Sequence, residues 1–406
     1  MAHGVPWTWR LALALALAAT GTWRNSVVAE EAENVKLEEV YGWKVLDYAW
    51  PTEESRDEAR INGTFIPKNN IIISAKTWGD RMYITVPRWL PGVPSTLNWV
   101  PYNVSELSTD GEPLSPPLNP FPSWEMQEVG NCSALQFVQS MEIDPLGRMW
   151  VLDVGRRNIF SGSPDNSCPP KLVLLDLQHD NRVLHTFTFP DDVVSHTNNF
   201  INDLVIDVSD GGEGYDWYAY ISDPQTGQDN GGGIVVYHLG TDRAWRVSDW
   251  ASMNYESGEA SEVYIEGERS VLRMNVDGIG LSPLAEGADK LFYAPLGSFN
   301  LYYLPTAILR NQSAESLDVT RAVVDLGPRT SQGGGMAVDS TGALYLGLLG
   351  QESIARWSHE AQVTVGDPYE AEVLAIDPDR LQGIDGFGFD NDNKYLFIVF
   401  PVQEQD

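Results

Sequence analysis

Six copies of one short hairpin pattern run along this 406-residue chain. In the clearest copies, residues 141–153, 336–349 and 387–400, an apolar strand ends in Asp, a polar turn follows, and an aromatic-rich strand comes next. An Asp at a strand end accepts hydrogen bonds from turn amides, and a turn glycine supplies the positive φ that tight turns need. The pattern therefore predicts antiparallel β-hairpins. Helical periodicity is nearly absent, and its best segment is residues 306–311.

The second strands of these copies begin at a loose but steady interval. Their starts are separated by 67, 69, 73, 53 and 51 residues. The starting residues are Met82, Met149, Tyr218, Leu291, Leu344 and Tyr395. Each interval leaves room for further strands, and six equivalent sheets suit the blades of a β-propeller. We predict an all-β fold, a six-bladed β-propeller, as a single domain over residues 30–406. Two β-sandwich domains are the alternative, but no linker or composition break supports that division.

The N-terminus has the pattern of a secretory signal peptide. A single Arg10 precedes the apolar segment Leu11–Thr20, which is too short to span a bilayer, and small residues follow it. We predict a signal peptide over residues 1–29, cleaved between residues 21 and 29, and a secreted, extracellular protein. An uncleaved N-terminal anchor is the alternative.

The predicted secretion determines how the cysteines and the N-x-S/T sequons are interpreted. Cys132 and Cys168 are the only cysteines, and in an oxidising compartment they predict one disulfide. Closing so long a loop contributes about 3–4 kcal/mol in the chain-entropy model; two buried free thiols are the alternative. The sequons predict N-glycosylation, with the acceptor beside Cys132 hindered. The acceptors are Asn62, Asn103, Asn131 and Asn311.

The charge balance narrows the class of partner. The chain has 57 acidic and 26 basic residues, a formal net charge of −31. Nucleic acid and anionic membranes are disfavoured because both are polyanions, whereas cationic ligands are favoured. Solubility is the simplest reason for such a charge. The sequence contains no G-x-S-x-G, H-E-x-x-H or Walker A motif, so the usual signatures of hydrolases, zinc proteases and nucleotide-binding loops are missing.

Ten segments in a fixed order resemble one known family. They include VPRWLPGVPSTL (86–97), GNC (130–132), IDPLGRMWVLDVG (143–155), FINDLVID (200–207) and YAYISD (218–223). In this order the set is similar to the yellow and major royal jelly protein family, and the resemblance covers roughly residues 43–400. Any one segment alone would be a weak signal.

The resemblance implies a secreted six-bladed propeller with ligand binding or pigment-pathway chemistry near its central channel. Members of this family include melanin-pathway proteins that convert dopachrome, salivary proteins that bind biogenic amines, and nutritive proteins. Many insect members carry two further cysteines, and this chain has Leu146 at the first place and no Cys in Gly214–Asp216 near the second. The resemblance therefore implies that one disulfide has been lost, and the family fixes fold better than activity.

The segment 200–207 holds the strongest candidate site. In a propeller the leading residues of each blade's first strand lie at the channel mouth, so Asn202 and Asp203 should face the axis. Their nearest equivalents in other blades are Gln332 and Asp385. We predict that these four residues bind the ligand, although capping of strand ends would also explain them. Related lactonase propellers hold calcium with Asn and Asp placed in this way, but one such pair supplies too few oxygen ligands. No metal or cofactor is therefore predicted, and calcium stays an open alternative.

One histidine lies close to this segment in the sequence. His196 is six residues before Asn202, and a histidine can carry protons near neutral pH. Dopachrome conversion needs a base and an acid, so His196 and Asp203 are the candidate catalytic pair. A plain surface-loop histidine is the alternative.

Together these features predict a secreted glycoprotein that binds a small aromatic amine or a catechol-derived ligand in its axial channel. Carboxylates would pair with the ammonium group, and aromatic rings would contact the ligand. The expected partner is a cationic or catechol-like small molecule, with neither nucleic acid nor membrane. Enzyme activity stays open. The alternatives are a dopachrome-converting isomerase of the melanin pathway, a calcium-assisted lactonase-like site, and a non-catalytic extracellular structural or nutritive protein.

Overall fold

Antiparallel strands make up most of the regular structure in the computed structural model. The structure describes residues 7–15, 37–102, 113–208, 214–225, 231–265, 268–313, 318–358, 371–381, 383–390 and 395–403. The described residues form six four-stranded sheets and one separate two-stranded hairpin.

One sheet combines the two ends of the described chain. Its strands, in spatial order, are β2 (Leu37–Trp43), β1 (Trp7–Leu15), β26 (Tyr395–Gln403) and β25 (Gly386–Phe389). Strand β1 pairs antiparallel with both β2 and β26. It lies within the predicted signal peptide, whose remaining residues are outside the described part of the chain. The predicted cleavage would remove β1, and the mature protein would then lack one of the four strands of this sheet.

The other five four-stranded sheets are meanders, in which each strand pairs with the next along the chain. The first is β3 (Ser74–Trp78), β4 (Arg81–Thr85), β5 (Leu97–Pro101) and β6 (Asn119–Pro120). The second is β7 (Val138–Ile143), β8 (Arg148–Asp153), β9 (Lys171–Asp176) and β10 (Val183–Thr188). The third is β11 (Leu204–Asp207), β12 (Tyr218–Asp223), β13 (Gly233–His238) and β14 (Arg243–Val247).

The hairpin and the last two meanders follow in the chain. The hairpin is β15 (Glu262–Ile265) and β16 (Glu268–Val271). The fourth meander is β17 (Val276–Leu281), β18 (Lys290–Pro295), β19 (Asn300–Pro305) and β20 (Val324–Pro328). The fifth is β21 (Met336–Val338), β22 (Ala343–Leu348), β23 (Ser353–Ser358) and β24 (Glu372–Ile376).

The first strands of these sheets pack against one another in a closed ring. The order of contact is β3, β7, β11, β17, β21, β25 and back to β3. Sheets arranged around an axis in this way form a propeller, in which apolar residues fill the space between neighbouring blades. The predicted all-β propeller is therefore confirmed, and the alternative of two sandwich domains is excluded by the ring.

The Asp at the end of an inner strand has the role that the repeat predicts. Asp144 accepts hydrogen bonds from the backbone amides of Leu146 and Arg148 across the turn, and from the indole of Trp150 at 2.9 Å. Gly147 in this turn has φ +70°. In the fifth meander Asp339 likewise accepts from two turn amides and from the hydroxyl of an aromatic residue six positions later. This Asp therefore fixes the turn and anchors the second strand.

Glycines let the inner strands converge on the axis. A Cβ added at Gly278 would lie 1.6 Å from the carbonyl oxygen of Gly334 in the neighbouring blade, and one added at Gly386 would lie 2.1 Å from that of Ile73. No side chain fits at such distances, so these positions of the inner strands require glycine.

Among the described residues the α-helices are few and short, as expected, but the longest was not predicted. It is α1 (Glu53–Ile61), which begins with a capping box between Thr52 and Ser55; its polar sequence has no apolar stripe to reveal it. The others are α2 (Trp250–Met253) and α3 (Thr306–Leu309), the latter within the predicted helical segment.

The predicted disulfide between Cys132 and Cys168 is present and closes a sequence separation of 36 residues. The two positions associated with the missing disulfide are also neighbours, because a Cβ added at Gly214 would lie 2.7 Å from Cδ1 of Leu146.

Candidate functional site

A cavity of about 320 Å³ opens along the axis of the ring. It is lined by residues of the inner strands of all six sheets. Its polar lining includes Gln139, Asn202, Asp203 and Asp385, whereas its walls are mainly apolar. Three of the four predicted ligand-binding residues therefore line one cavity.

Asp385 presents the least satisfied carboxylate in this cavity. It immediately precedes β25, and no side chain or backbone amide of the described residues donates a hydrogen bond to its carboxylate. Burial and the negative charge of Asp203 raise the pKa of Asp385 to about 7. A carboxyl with a raised pKa is one whose negative charge is poorly compensated by its surroundings.

The Asp203 carboxylate, unlike that of Asp385, receives hydrogen bonds from backbone amides. Its carboxylate accepts hydrogen bonds from the backbone amides of Leu204 at 2.8 Å and Ile279 at 3.2 Å. Burial nevertheless raises the pKa of Asp203 to about 6, while the positive charge of Lys76 acts in the opposite direction. Asp203 therefore titrates close to the range in which Asp385 does.

Asn202 belongs to a chain of hydrogen bonds that includes two residues of the cavity lining, Gln139 and Asn202 itself. The indole of Trp89 donates to Gln139 Oε1 at 3.2 Å, and Gln139 Nε2 donates to Asn202 Oδ1 at 2.7 Å. Asn202 Nδ2 then donates to Asp277 Oδ1 at 2.7 Å. This chain joins residues from four meanders and fixes the orientation of the Asn202 amide, with its oxygen toward Gln139 and its nitrogen toward Asp277.

Asp277 is a buried carboxylate close to this site that the sequence reasoning missed. Burial raises its pKa well above the usual value, and the charges of Asp385 and Asp203 add to that effect, against a smaller opposing contribution from Arg329. A Cβ added at Gly334 would lie 2.3 Å from Asp277 Oδ2 and 3.2 Å from Asp385 Oδ1. The two carboxylates thus flank the same glycine. The available signal was the position of Asp277 near the start of an apolar inner strand, as Asp203 and Asp385 precede theirs.

The fourth predicted ligand residue is placed differently. Gln332 is buried, and its amide donates to the backbone carbonyls of Glu259, Ala260 and Glu262 at 2.8–3.2 Å. It is not among the residues that line the cavity. Its side chain holds the loop before β15. Of the four predicted ligand-binding residues, only Asn202, Asp203 and Asp385 line the cavity.

The predicted catalytic pair is not brought together. His196 lies in a loop, where its Nε2 is 3.0 Å from the carbonyl oxygen of Phe189 and its backbone amide donates to Asp191. His196 does not line the cavity that Asp203 lines. Sequence proximity to Asn202 failed as a guide because the chain turns away from the axis between the two residues.

Two charged residues on the cavity wall were also missed. Lys76 on β3 and Glu142 on β7 both line the cavity, and Lys76 Nζ donates to Glu142 Oε2 at 2.7 Å. Burial lowers the pKa of Lys76, but the charges of Glu142 and Asp203 and the hydrogen bond to Glu142 together outweigh that effect, so the pKa of Lys76 lies above its usual value. A charged residue inside an otherwise apolar inner strand, such as Glu142 in MEI, was the signal that could have revealed them.

The remaining predictions concern metals, membranes and glycans. In the described part of the chain no group of three or more His, Cys, Asp or Glu side chains is arranged to hold a metal ion. No helix among the described residues has the length and apolar content needed to cross a bilayer. The acceptors Asn62, Asn131 and Asn311 are exposed, whereas Asn103 lies outside the described residues.

Comparison with known proteins identifies relatives of this chain. The family model described as major royal jelly protein matches residues 136–400, more than half of the chain. Protein yellow of Drosophila melanogaster is 28% identical over 340 residues, which cover 79% of this chain and 57% of that protein. Major royal jelly protein 1 of Apis mellifera is 28% identical over 351 residues, which cover 85% of this chain and 74% of that protein. The chain thus spans a little over half the length of Protein yellow.

Solved structures with a similar fold include a gluconolactonase from Xanthomonas campestris, with a TM-score of 0.45 and 10% identity, covering 81% of this chain and 86% of that one. This likeness is too distant to bear on chemistry. The family match, together with the yellow and royal jelly relatives, decides the assignment: the chain belongs to the yellow and major royal jelly protein family.

Proposed function

We propose that this protein binds a small cationic amine, aromatic or catechol-derived, in the axial cavity. The observation that carries the proposal is the Asp385 carboxylate, which lines the cavity and receives no hydrogen bond from the described residues. An ammonium group bonded to it would supply both the missing donor and the missing positive charge.

The charges around Asp385 favour a cation. Asp203 and Asp277 reinforce its negative potential. The two nearby cations are engaged elsewhere. Arg329 donates to backbone carbonyls, including that of Gly333 at 2.8 Å, and Lys76 is paired with Glu142. A positive ligand would therefore lower the pKa of the carboxyls and release protons as it binds.

The size and the walls of the cavity suit a small amphipathic molecule. A volume of about 320 Å³ lies at the lower end of the range found for small-molecule sites, which is roughly 300–1,000 Å³. Phe387, Phe389, Met336 and Leu281 are among the apolar residues that line it. An aromatic ring would contact these side chains while its ammonium group reached the carboxylates.

Calorimetric titration tests this proposal. We expect serotonin, dopamine or octopamine to bind at pH 7.5, and hydroxytyrosol, in which a hydroxyl replaces the ammonium of dopamine, to bind at least about tenfold more weakly, since a charge-assisted pair contributes more than about 1.4 kcal/mol. Asp385→Asn should remove that preference. Asp379→Asn, at an exposed position, is the matched control. Titrations without heat at millimolar concentrations of all three amines would reject the proposal.

A dopachrome-converting isomerase is the second candidate function, and one observation favours it. Asp203 and Asp385 have pKa values of about 6 and about 7, so one carboxyl can be protonated while the other is ionised near neutral pH. Such a pair can act as general acid and base. Loss of dopachrome absorbance should then slow at least about 100-fold in Asp203→Asn and Asp385→Asn and stay unchanged in His196→Ala. Equal rates in all four proteins would exclude this mechanism.

Secretion and a six-bladed ring complete the proposal. The exposed sequons and the disulfide fit an extracellular compartment, and the composite sheet of β25 and β26 would serve as the sixth blade. N-terminal sequencing of the secreted protein tests the predicted cleavage between residues 21 and 29. An N-terminus that retains residues 7–15 would show instead that β1 belongs to the mature sheet. If neither ligands nor activity are found, the non-catalytic structural or nutritive role remains.

A further inference from the structure

An ion pair between Lys76 and Glu142 lies on the cavity wall. Lys76 is the only Lys, Arg or His among the described residues that line the cavity. Its partner Glu142 lies on the neighbouring inner strand, and their side chains are 18% and 25% exposed. Any ligand carboxylate that enters this space therefore meets a single cation, which is already paired.

Glu142 is held so that it keeps this pairing. Its Oε1 accepts a hydrogen bond from the backbone amide of Ile143 at 2.9 Å, and its Oε2 accepts from Lys76 Nζ at 2.7 Å. Both carboxylate oxygens thus have a donor. Backbone anchoring on one side reduces the freedom of Glu142 to move away when a competing anion approaches.

The remaining charges also disfavour a ligand carboxylate. Asp203 and Asp385 line the same cavity, and a further negative group placed beside them would be repelled at low effective dielectric. A carboxylate that loses water without gaining a cation or a set of donors is costly to bury. An amine lacking a carboxylate avoids this cost, whereas the parent amino acid carries it in full.

We propose that Glu142 is a specificity-determining residue, which keeps Lys76 from binding a ligand carboxylate and so restricts the axial site to amines that lack one. This inference rests on the proposed amine-binding function. It names the ligand class more narrowly as decarboxylated amines, with α-amino acids excluded. Glu142 acts through Lys76 and need not touch the ligand.

Affinities for dopamine and 3,4-dihydroxyphenylalanine, which differ by one carboxylate, test the proposal. We expect the wild-type protein to prefer dopamine by at least about 100-fold, the equivalent of about 2.7 kcal/mol. Glu142→Gln keeps the shape of the side chain and removes its charge, so the amino acid should bind at least about tenfold more tightly to this variant. Adding Lys76→Met to Glu142→Gln should abolish that gain.

Each outcome decides a separate question. If dopamine does not bind the wild-type protein, the proposed function fails and this inference with it. If dopamine binds but Glu142→Gln leaves the preference unchanged, the specificity role of Glu142 is refuted and amine binding stands. If the double variant keeps the gain, Lys76 is not the receptor for the carboxylate, and the inference is overturned. Near-ultraviolet circular dichroism checks folding, and Glu142→Ala replaces Glu142→Gln should the latter not fold.

Discussion

Replacing Asp385 by Asn should stabilise the folded protein in a pH-dependent manner. The pKa of Asp385 is about 7 in the folded state, whereas an unfolded Asp titrates near 3.9. Below about pH 4 both states are protonated, so Asp385 has no effect on stability. Between about pH 4 and pH 7 the unfolded state loses its proton first, and the free energy of unfolding falls by about 1.4 kcal/mol per pH unit. Above pH 7 the loss is complete.

The size of the effect follows from the same numbers. A difference of about three pH units corresponds to about 4 kcal/mol as an upper bound. Water in the open cavity will screen part of it, so we expect Asp385→Asn to be more stable than the wild-type protein by about 2–4 kcal/mol at pH 8 and by less than about 0.5 kcal/mol at pH 4. The charges facing Asp385 are those of Asp203 and Asp277, and losing one of three like charges also eases the burial of the other two.

Urea denaturation at pH 4, 5, 6, 7 and 8, followed by tryptophan fluorescence, measures this difference. Asp379→Asn is the control, because Asp379 is exposed and its replacement should change stability by less than about 0.5 kcal/mol at every pH. Parallel stability curves for the wild type and Asp385→Asn from pH 4 to pH 8 would refute the reasoning. They would show that the carboxylate is compensated in the folded protein and does not await a cationic ligand.

Three further predictions concern the scaffold. Cys132→Ser, which opens the loop closed with Cys168, should lower the free energy of unfolding by about 3–4 kcal/mol in the chain-entropy model, measured by denaturation with and without reductant; equal stability would contradict it. Asp207→Ala removes a hydrogen-bond partner of Tyr220 and of Arg310. It should lower the free energy of unfolding by about 3–5 kcal/mol, because the partly buried charge of Arg310 loses its carboxylate. A melting temperature equal to that of the wild type would contradict this prediction. Gly278→Ala should cost more than about 3 kcal/mol, since its Cβ would lie 1.6 Å from a backbone oxygen, and wild-type expression and melting would show that the inner strands can move apart.

The position of the hairpins could be predicted from the sequence because their defining contacts are local. Asp144 is six residues from Trp150, and both lie in one turn and its flanking strands. The predicted starts of the second strands agree with the structure to within one residue, as Met149 in β8 and Leu344 in β22 illustrate.

The tertiary structure alone decided which polar side chains meet. Asn202 bonds to Asp277, 75 residues further along the chain, and a one-dimensional pattern does not specify which residues of separate blades converge. Gln332 had the right residue type and spacing, yet its amide is used by backbone carbonyls of another segment. The repeat of apolar strand, Asp and polar turn thus determined the hairpins, since its contacts lie within a few residues of one another. Closure of the ring determined the site, since the charge, the hydrogen bonds and the burial of Asp385 depend on blades distant in sequence.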